Sequence, residues 1–188
     1  MKDILKRDLE ISVYRLINFI NLSAAEKEMV RNWRNNEKIR KWMYNDNIIT
    51  KDEHVNFINF LKNSTDKVYW LVKKEDSNIY VGVLNLVNIS WRHRNAYLGI
   101  YTNPEQRIRG SGKIILSFIL KIAFSFLNLH SLKLEVIENN EPAIRLYRNF
   151  GFQKEGKLRE FVYKNGEWKD VIVMGLINPL ERSKNGNI

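Results

Sequence analysis

The chain has 188 residues, 44% of them hydrophobic, a net charge of +10 and no cysteine. The length fits one α/β domain spanning 1–188 with a sizeable core, and the missing cysteine excludes disulfides, a thiolate nucleophile and Cys-based zinc sites, favouring a reducing cytoplasm. The charge suits a polyphosphate ligand as well as nucleic acid, but Lys and Arg are spread without a like-charge run, which disfavours a nucleic-acid arm.

At the N-terminus Lys2, Lys6 and Arg7 alternate with Asp3 and Asp8, and no apolar run follows, so no secretory signal is expected. Ser12 to Phe19 reads as a first strand. Ser23 with Glu26, and Thr50 with Glu53, are capping-box pairs that open two helices, the second with Val55, Phe57, Ile58 and Leu61 as its apolar side. Strands follow at Tyr69 to Lys73 and Ile79 to Ile89, with a turn near Asp76-Ser77-Asn78, and then at Ala96 to Tyr101. A long helix from about Gly110 to Asn128 carries Ile115, Phe118, Ile119, Ile122 and Phe126 on its apolar stripe, with Ser117, Lys121, Ser125 and Asn128 opposite. Polar interruptions and a length under ~20 residues keep its apolar part from spanning a membrane.

Ser131 to Ile137 is the next strand, parallel to Ala96–Tyr101 through a right-handed crossover. Pro142 fits the first position of a helix and Gly151 the residue past its end. Phe152 to Lys157, Glu160 to Lys164 and Lys169 to Leu176 read as closing strands, with Asn165-Gly166 as a hairpin turn, and the tail from about 180 to 188 as loose. The sum is an α/β (α+β) chain: a mixed sheet with helices on both faces. His54, His93 and His130 are too scattered for a metal motif, and none is expected.

The segment Arg107-Ile108-Arg109-Gly110-Ser111-Gly112 lies between a strand and a long helix, where free amides and small residues can cradle a pyrophosphate. A P-loop would need Gly at 107 and Ser or Thr at 114, and a dinucleotide fingerprint a third glycine near 115. Two glycines alone are also what an ordinary strand–helix turn uses. Their Arg-x-x-Gly-x-Gly pattern, however, resembles the acetyl-CoA signature of the GNAT superfamily of N-acetyltransferases. Asn140-Glu141-Pro142-Ala143-Ile144-Arg145-Leu146-Tyr147-Arg148-Asn149-Phe150-Gly151-Phe152 resembles its second motif, at the separation that superfamily uses.

The resemblance implies a mostly antiparallel sheet with one splayed parallel strand pair, Ala96–Tyr101 and Ser131–Ile137. It implies acetyl-CoA as co-substrate, its arm beside Ile100, Tyr101 and Thr102, its pyrophosphate on Arg107, Ile108, Arg109, Gly110, Ser111 and Gly112, and Asn140 at the mouth of the gap. Tyr147 takes the position of the general acid. For the base, Glu135, Glu138 and a water stay open; Glu135 is preferred because it points from the strand that lines the gap, and alternation with Leu132, Leu134 and Val136 turns it to the other side of the sheet. A salt bridge is the plain alternative for Glu135. Without cysteine, direct attack by the amine in a ternary complex is expected.

Arg31-Asn32-Trp33-Arg34-Asn35, Ile39-Arg40-Lys41-Trp42-Met43-Tyr44, Glu53-His54-x-x-Phe57-Ile58 and Tyr97-Leu98-Gly99-Ile100-Tyr101 are similar to a narrower group. These are the N-acetyltransferases of pseudaminic acid biosynthesis, which acetylate the 4-amino group of UDP-4-amino-4,6-dideoxy-N-acetyl-β-L-altrosamine on a route to flagellin glycosylation. That implies a nucleotide-sugar amine as substrate, with Arg34, His54, Asn88 and Tyr97 as candidates to bind it. Each has a plain structural alternative: a solvated helix residue for Arg34 and His54, a strand-end cap for Asn88, a core aromatic for Tyr97. Acetylation of a protein N-terminus, and a non-catalytic acyl-CoA or nucleic-acid binding module, are the rival readings; no membrane partner is expected, and oligomeric state stays open with a homodimer admitted.

Overall fold

The structure, a computed structural model, describes residues 2–182. Strands β1 (Leu9–Ile11), β2 (Tyr14–Asn18), β3 (Val68–Lys74), β4 (Ile79–Ser90), β5 (Asn95–Thr102), β6 (Ser131–Ile137), β7 (Gln153–Lys164) and β8 (Glu167–Ile177) form one sheet in the order β1-β2-β3-β4-β5-β6-β8-β7. Only β5 and β6 pair in parallel. The expected first strand is two: Ser12 adopts φ 55° and turns the chain, so Ile11 pairs with Tyr14. Phe19 falls beyond the strand, in a single 3-10 turn opened by Asn18.

Helix α1 (Ala24–Asn35) begins as expected, with Glu26 N–H donating to Ser23 Oγ at 3.2 Å and Ser23 N–H to Glu26 Oε2 at 2.8 Å. After the short α2 (Glu37–Arg40), helix α3 (Lys51–Asn63) opens on the same device at Thr50 and Glu53. Ile58 and Leu61 are buried and Phe57 packs beside them as expected, but His54 completes the inward side at i, i+4, i+7 while Val55 is 39% exposed. Helix α4 (Ser111–Lys121) runs into a π turn at Ile122–Phe126, closed by Leu127 N–H on Ile122 O at 2.9 Å. The inserted residue rotates the stripe, burying Ala123, Phe124 and Leu127 and leaving Phe126 exposed, contrary to simple periodicity.

Helix α5 (Glu141–Asn149) starts one residue before Pro142 and ends on Gly151 at φ 90°, with Phe152 N–H on Tyr147 O and Gly151 N–H on Arg148 O. That paired return is a Schellman ending. The two strands expected over 152–164 are one, β7, kinked where Glu160 sits at φ 49° and its N–H donates to Asp170 Oδ1 at 2.7 Å. Asn165 and Gly166, both at positive φ, make the expected hairpin. Pro179–Arg182 forms a last helical turn, α6, where a loose tail was expected; residues 183–188 lie outside the described residues.

Helices cover both faces. Leu16, Trp70, Leu84, Leu98, Leu132 and Leu134 pack under α4 and α5, while Ile17, Leu71 and Val83 pack against Val30 and Trp33 of α1 and Ile58 and Leu61 of α3. Burying each large apolar side chain contributes about 1.5–3 kcal/mol, so both layers hold the sheet between them. Among the described residues, no helix is long and apolar enough to cross a membrane.

Candidate active site

The β5–β6 ladder holds three pairs, Asn95↔Ser131, Ala96↔Leu132 and Tyr97↔Lys133, and then stops. Beyond it β5 stays on β4 as far as Gly82↔Thr102, and β6 stays on β8 as far as Ile137↔Val171. The strands therefore part, and a gap opens in the sheet with Ile100, Tyr101 and Thr102 on one lip. Its closed end is clasped: Ser131 N–H donates to Arg94 O at 3.2 Å, Arg94 Nε to Asn128 O at 2.7 Å, and both Arg94 and His130 pair with Glu181.

Past Thr102, Asn103 Oδ1 accepts from Glu105 and Gln106 N–H, shaping the loop that leads to α4. Gly110 stands at φ 77° before the helix, and among the described residues no side chain caps it. An uncapped helix start leaves amides and a partial positive charge for an anion. Arg107 and Arg109 are exposed beside it, and a 460 Å³ groove runs past Thr102, Asn103, Arg107, Ile108 and Ser111. Open space surrounds the place of a Gly110 side chain, whereas a Cβ on Gly112 would lie 3.2 Å from Leu146 of α5. The second glycine thus serves close helix packing. These features fit a pyrophosphate carrier.

Asn140 opens α5, its Oδ1 accepting from Ala143 N–H at 3.4 Å. Tyr147 on the same helix is 7% exposed, edge-on to Phe152 at 5.8 Å. Burial pushes its phenol well above the ordinary range, so it keeps its proton at neutral pH.

Glu135 is on the sheet face opposite Leu134 and Val136, as alternation predicts, and it is exposed. It accepts a hydrogen bond from Tyr44 Oη at 2.6 Å, and among the described residues no Lys or Arg bridges it. Burial first, then this carboxylate and nearby Tyr97, push the Tyr44 phenol upward. Phe161 of β7 backs the Tyr44 ring at 6.0 Å. Glu138, in contrast, is engaged by Lys157 at 2.7 Å.

Arg34 donates from Nη2 to Asn45 O at 3.1 Å, while its Nη1 is buried with no partner among the described residues. Burial lowers its pKa, and Tyr101 and Tyr69 lie close enough to oppose that shift. Arg40 donates to Asp46 O at 2.8 Å and has a buried Nε without a partner among the described residues; Lys164 donates to Arg40 O and Met43 O. Arg34, Arg40 and Lys164 interact with one another electrostatically, so three cations gather on the side of the sheet that carries Glu135.

His54 is packed between α1 and α3, its ring 6.4 Å from Phe19 and its pKa lowered chiefly by burial, in the company of Glu28, Arg31 and the Lys27 backbone. It is not gathered with Arg34, Arg40 and Lys164. Asn88 is an exposed bulge residue at φ 53°, at the end of β4 beside the Val87↔Tyr97 pair. The structure thus brings Tyr97, Glu135 and Arg34 to one face, with Asn88 at its edge.

Sequence reasoning passed over Tyr44, Asn85, Arg40 and Lys164. Asn85 lies across from Gly99, whose Cβ would come within 3.2 Å of Asn85 Cγ, and it hydrogen-bonds Tyr69. A glycine in mid-strand was the available signal of that close approach.

The family model described as an acetyltransferase (GNAT) domain matches residues 22–173. The chain belongs to the GNAT acetyltransferase family. This GNAT chain is 30% identical over 149 residues to the acetyltransferase PseH of Campylobacter jejuni, covering 79% of itself and 90% of that protein. It is 28% identical over 150 residues to the spermidine N(1)-acetyltransferase of Vibrio cholerae, covering 80% and 86%. The crystal structure of the Vibrio cholerae enzyme in complex with CoA and spermine matches with a TM-score of 0.81 at 26% identity, over 89% of this chain and 97% of that one. GNAT acetyltransferases use acetyl-CoA, and the protein is an N-acetyltransferase of this family. Among the described residues, no group of three or more His, Asp or Glu side chains is placed to hold a metal.

Proposed function

We propose that this GNAT enzyme acetylates the amine of an anionic, nucleotide-linked amino sugar, the 4-amino group of UDP-4-amino-4,6-dideoxy-N-acetyl-β-L-altrosamine being the candidate that PseH's similarity favours. The observation that carries this reading is the pair Arg34 and Arg40 on the acceptor side, each with a buried guanidinium N–H that has no partner among the described residues, with Lys164 close by and Asp46 as a counter-charge. A diphosphate satisfies such donors with charge-assisted hydrogen bonds. A polyamine, although the similar Vibrio cholerae enzyme is named for one, would bring more positive charge there. At an effective dielectric of 20, each like pair 6 Å apart costs roughly 3 kcal/mol.

In this reading the arm of acetyl-CoA lies along Ile100, Tyr101 and Thr102, with Asn140 at the mouth. Its pyrophosphate rests on the start of α4, between Arg107 and Gly112. Glu135 takes the proton from the attacking amine, directly or through a water, and Tyr147 supplies one to the leaving thiolate. Tyr97 and Asn88 border the acceptor at the closed end of the gap; His54 acts from behind α1, holding the helix that presents Arg34. With no thiol in the chain, the amine attacks the thioester directly.

The test is release of CoA thiol with UDP-amino sugars, spermidine and peptide N-termini as acceptors. Preferential turnover of the UDP-amino sugar is expected; preference for spermidine or a peptide sinks the reading. Arg34→Ala should raise the acceptor KM by a factor of about 10 to 100, since a hydrogen bond to a charged group is worth about 1.5–3 kcal/mol. The KM for acetyl-CoA should stay at the parent value.

A further inference from the structure

The chain from Lys41 to Thr50 has no regular helix or strand. Its carbonyls, with that of Arg40, are instead held by cationic side chains. Lys164 Nζ donates to Arg40 O at 2.7 Å and Met43 O at 2.6 Å, Arg34 to Asn45 O, Arg40 to Asp46 O at 2.8 Å, and Arg31 Nη1 to Ile49 O at 2.9 Å. Lys164 reaches this segment from β7, far along the sequence, and is only 5% exposed. Burying an ammonium is costly unless its hydrogen bonds are made, and an apolar residue would fill the space at less cost. The charge is retained where it grips the backbone immediately before Tyr44, the residue that donates to Glu135 at 2.6 Å.

We infer that Lys164 is a positioning residue for acetyl transfer: by holding the carbonyls of Arg40 and Met43, it sets the Tyr44 hydroxyl on Glu135 and fixes the carboxylate that receives the acceptor's proton. The inference rests on the reading of Glu135 as proton acceptor. Tyr44 fills one lone pair of Oε2 and holds the carboxylate's plane, leaving the other oxygen for the amine. Phe161, also from β7, supports the ring, so one strand supplies both the grip on the backbone and the packing of the side chain. Met43 and Tyr44 are adjacent, which leaves little slack between the gripped carbonyl and the hydroxyl it directs.

The experiment compares the parent with Glu135→Gln, Tyr44→Phe, Lys164→Met and the Tyr44→Phe/Lys164→Met double variant. The acceptor is whichever amine of the panel the parent turns over fastest. Misplacing a reacting group by about 1 Å costs on the order of a hundredfold. Lys164→Met should therefore lower kcat by roughly tenfold to a hundredfold, with the KM for acetyl-CoA unchanged. The double variant should be no slower than the worse single one, because both changes break one chain of contacts. Lys164→Arg should restore part of kcat; should Lys164→Met not fold, Lys164→Gln, which keeps a donor and loses the charge, replaces it. Parent-like turnover by Glu135→Gln removes the base reading and the inference with it. With Glu135→Gln impaired, parent-like kcat in Lys164→Met or in the Lys164→Gln that replaces it, or losses that multiply in the double variant, overturns the inference alone.

Discussion

Replacing Tyr147 by Phe is expected to lower kcat by about a hundredfold or more, the scale of a lost general acid, while leaving acetyl-CoA affinity intact. The ring fills the same space against Phe152, and only the hydroxyl is removed. Because burial holds the phenol above its ordinary pKa of about 10, the parent should show no alkaline loss of kcat from this group at any pH below that value. The sign is set by the protonated form being the active one: raising its pKa widens the active window on the alkaline side. Single-turnover thiol release checks the rate, and titration of acetyl-CoA by thermal shift checks binding. A Tyr147→Phe enzyme with parent kcat would take the proton from elsewhere.

Gly82→Ala should be the most damaging small change to the fold. Gly82 pairs with Thr102, and a Cβ there would press on the Tyr101 carbonyl oxygen, lie 2.6 Å from Ile115 Cδ1 and 2.8 Å from Thr102 Cα. Two of these neighbours are backbone, which cannot swing aside, so β4 and β5 must separate. Overpacking of this kind costs about 1–3 kcal/mol, which lowers the Tm of a domain this size by roughly 2–12 °C. The displaced backbone is also the lip assigned to the carrier, so the KM for acetyl-CoA should rise with the fall in Tm. An unchanged melting curve would show that the strands yield freely.

Much of the architecture was legible because its signals are local. Capping pairs at Ser23 and Thr50, the Asn165-Gly166 turn and the Gly151 helix end each follow from chemistry within a few residues, and each is in the structure. Ser12 was missed because a serine at φ 55° carries no turn signature, and the π turn because one inserted residue leaves composition unchanged while shifting the stripe. The site divides the same way. The glycines before α4 and the Asn140–Tyr147 helix lie on contiguous stretches, so motif spacing found them. Lys164 grips carbonyls at positions 40 and 43, and Tyr44 reaches Glu135, across spans of more than ninety residues. Side chains that act on distant backbone leave no period or spacing to read.

The three-rung β5–β6 ladder has a mechanical consequence. Ala96, Leu98, Leu132, Leu134 and Val136 share one apolar cluster with Ile115 and Ile119 of α4 and with Ile122 of the π turn that follows it. The width of the opening is therefore set by that cluster and not by bonds across it. In the proposed reading it is a fixed aperture and not a jaw: the carrier's arm finds room already present, and the three rungs need not break and re-form in each catalytic cycle.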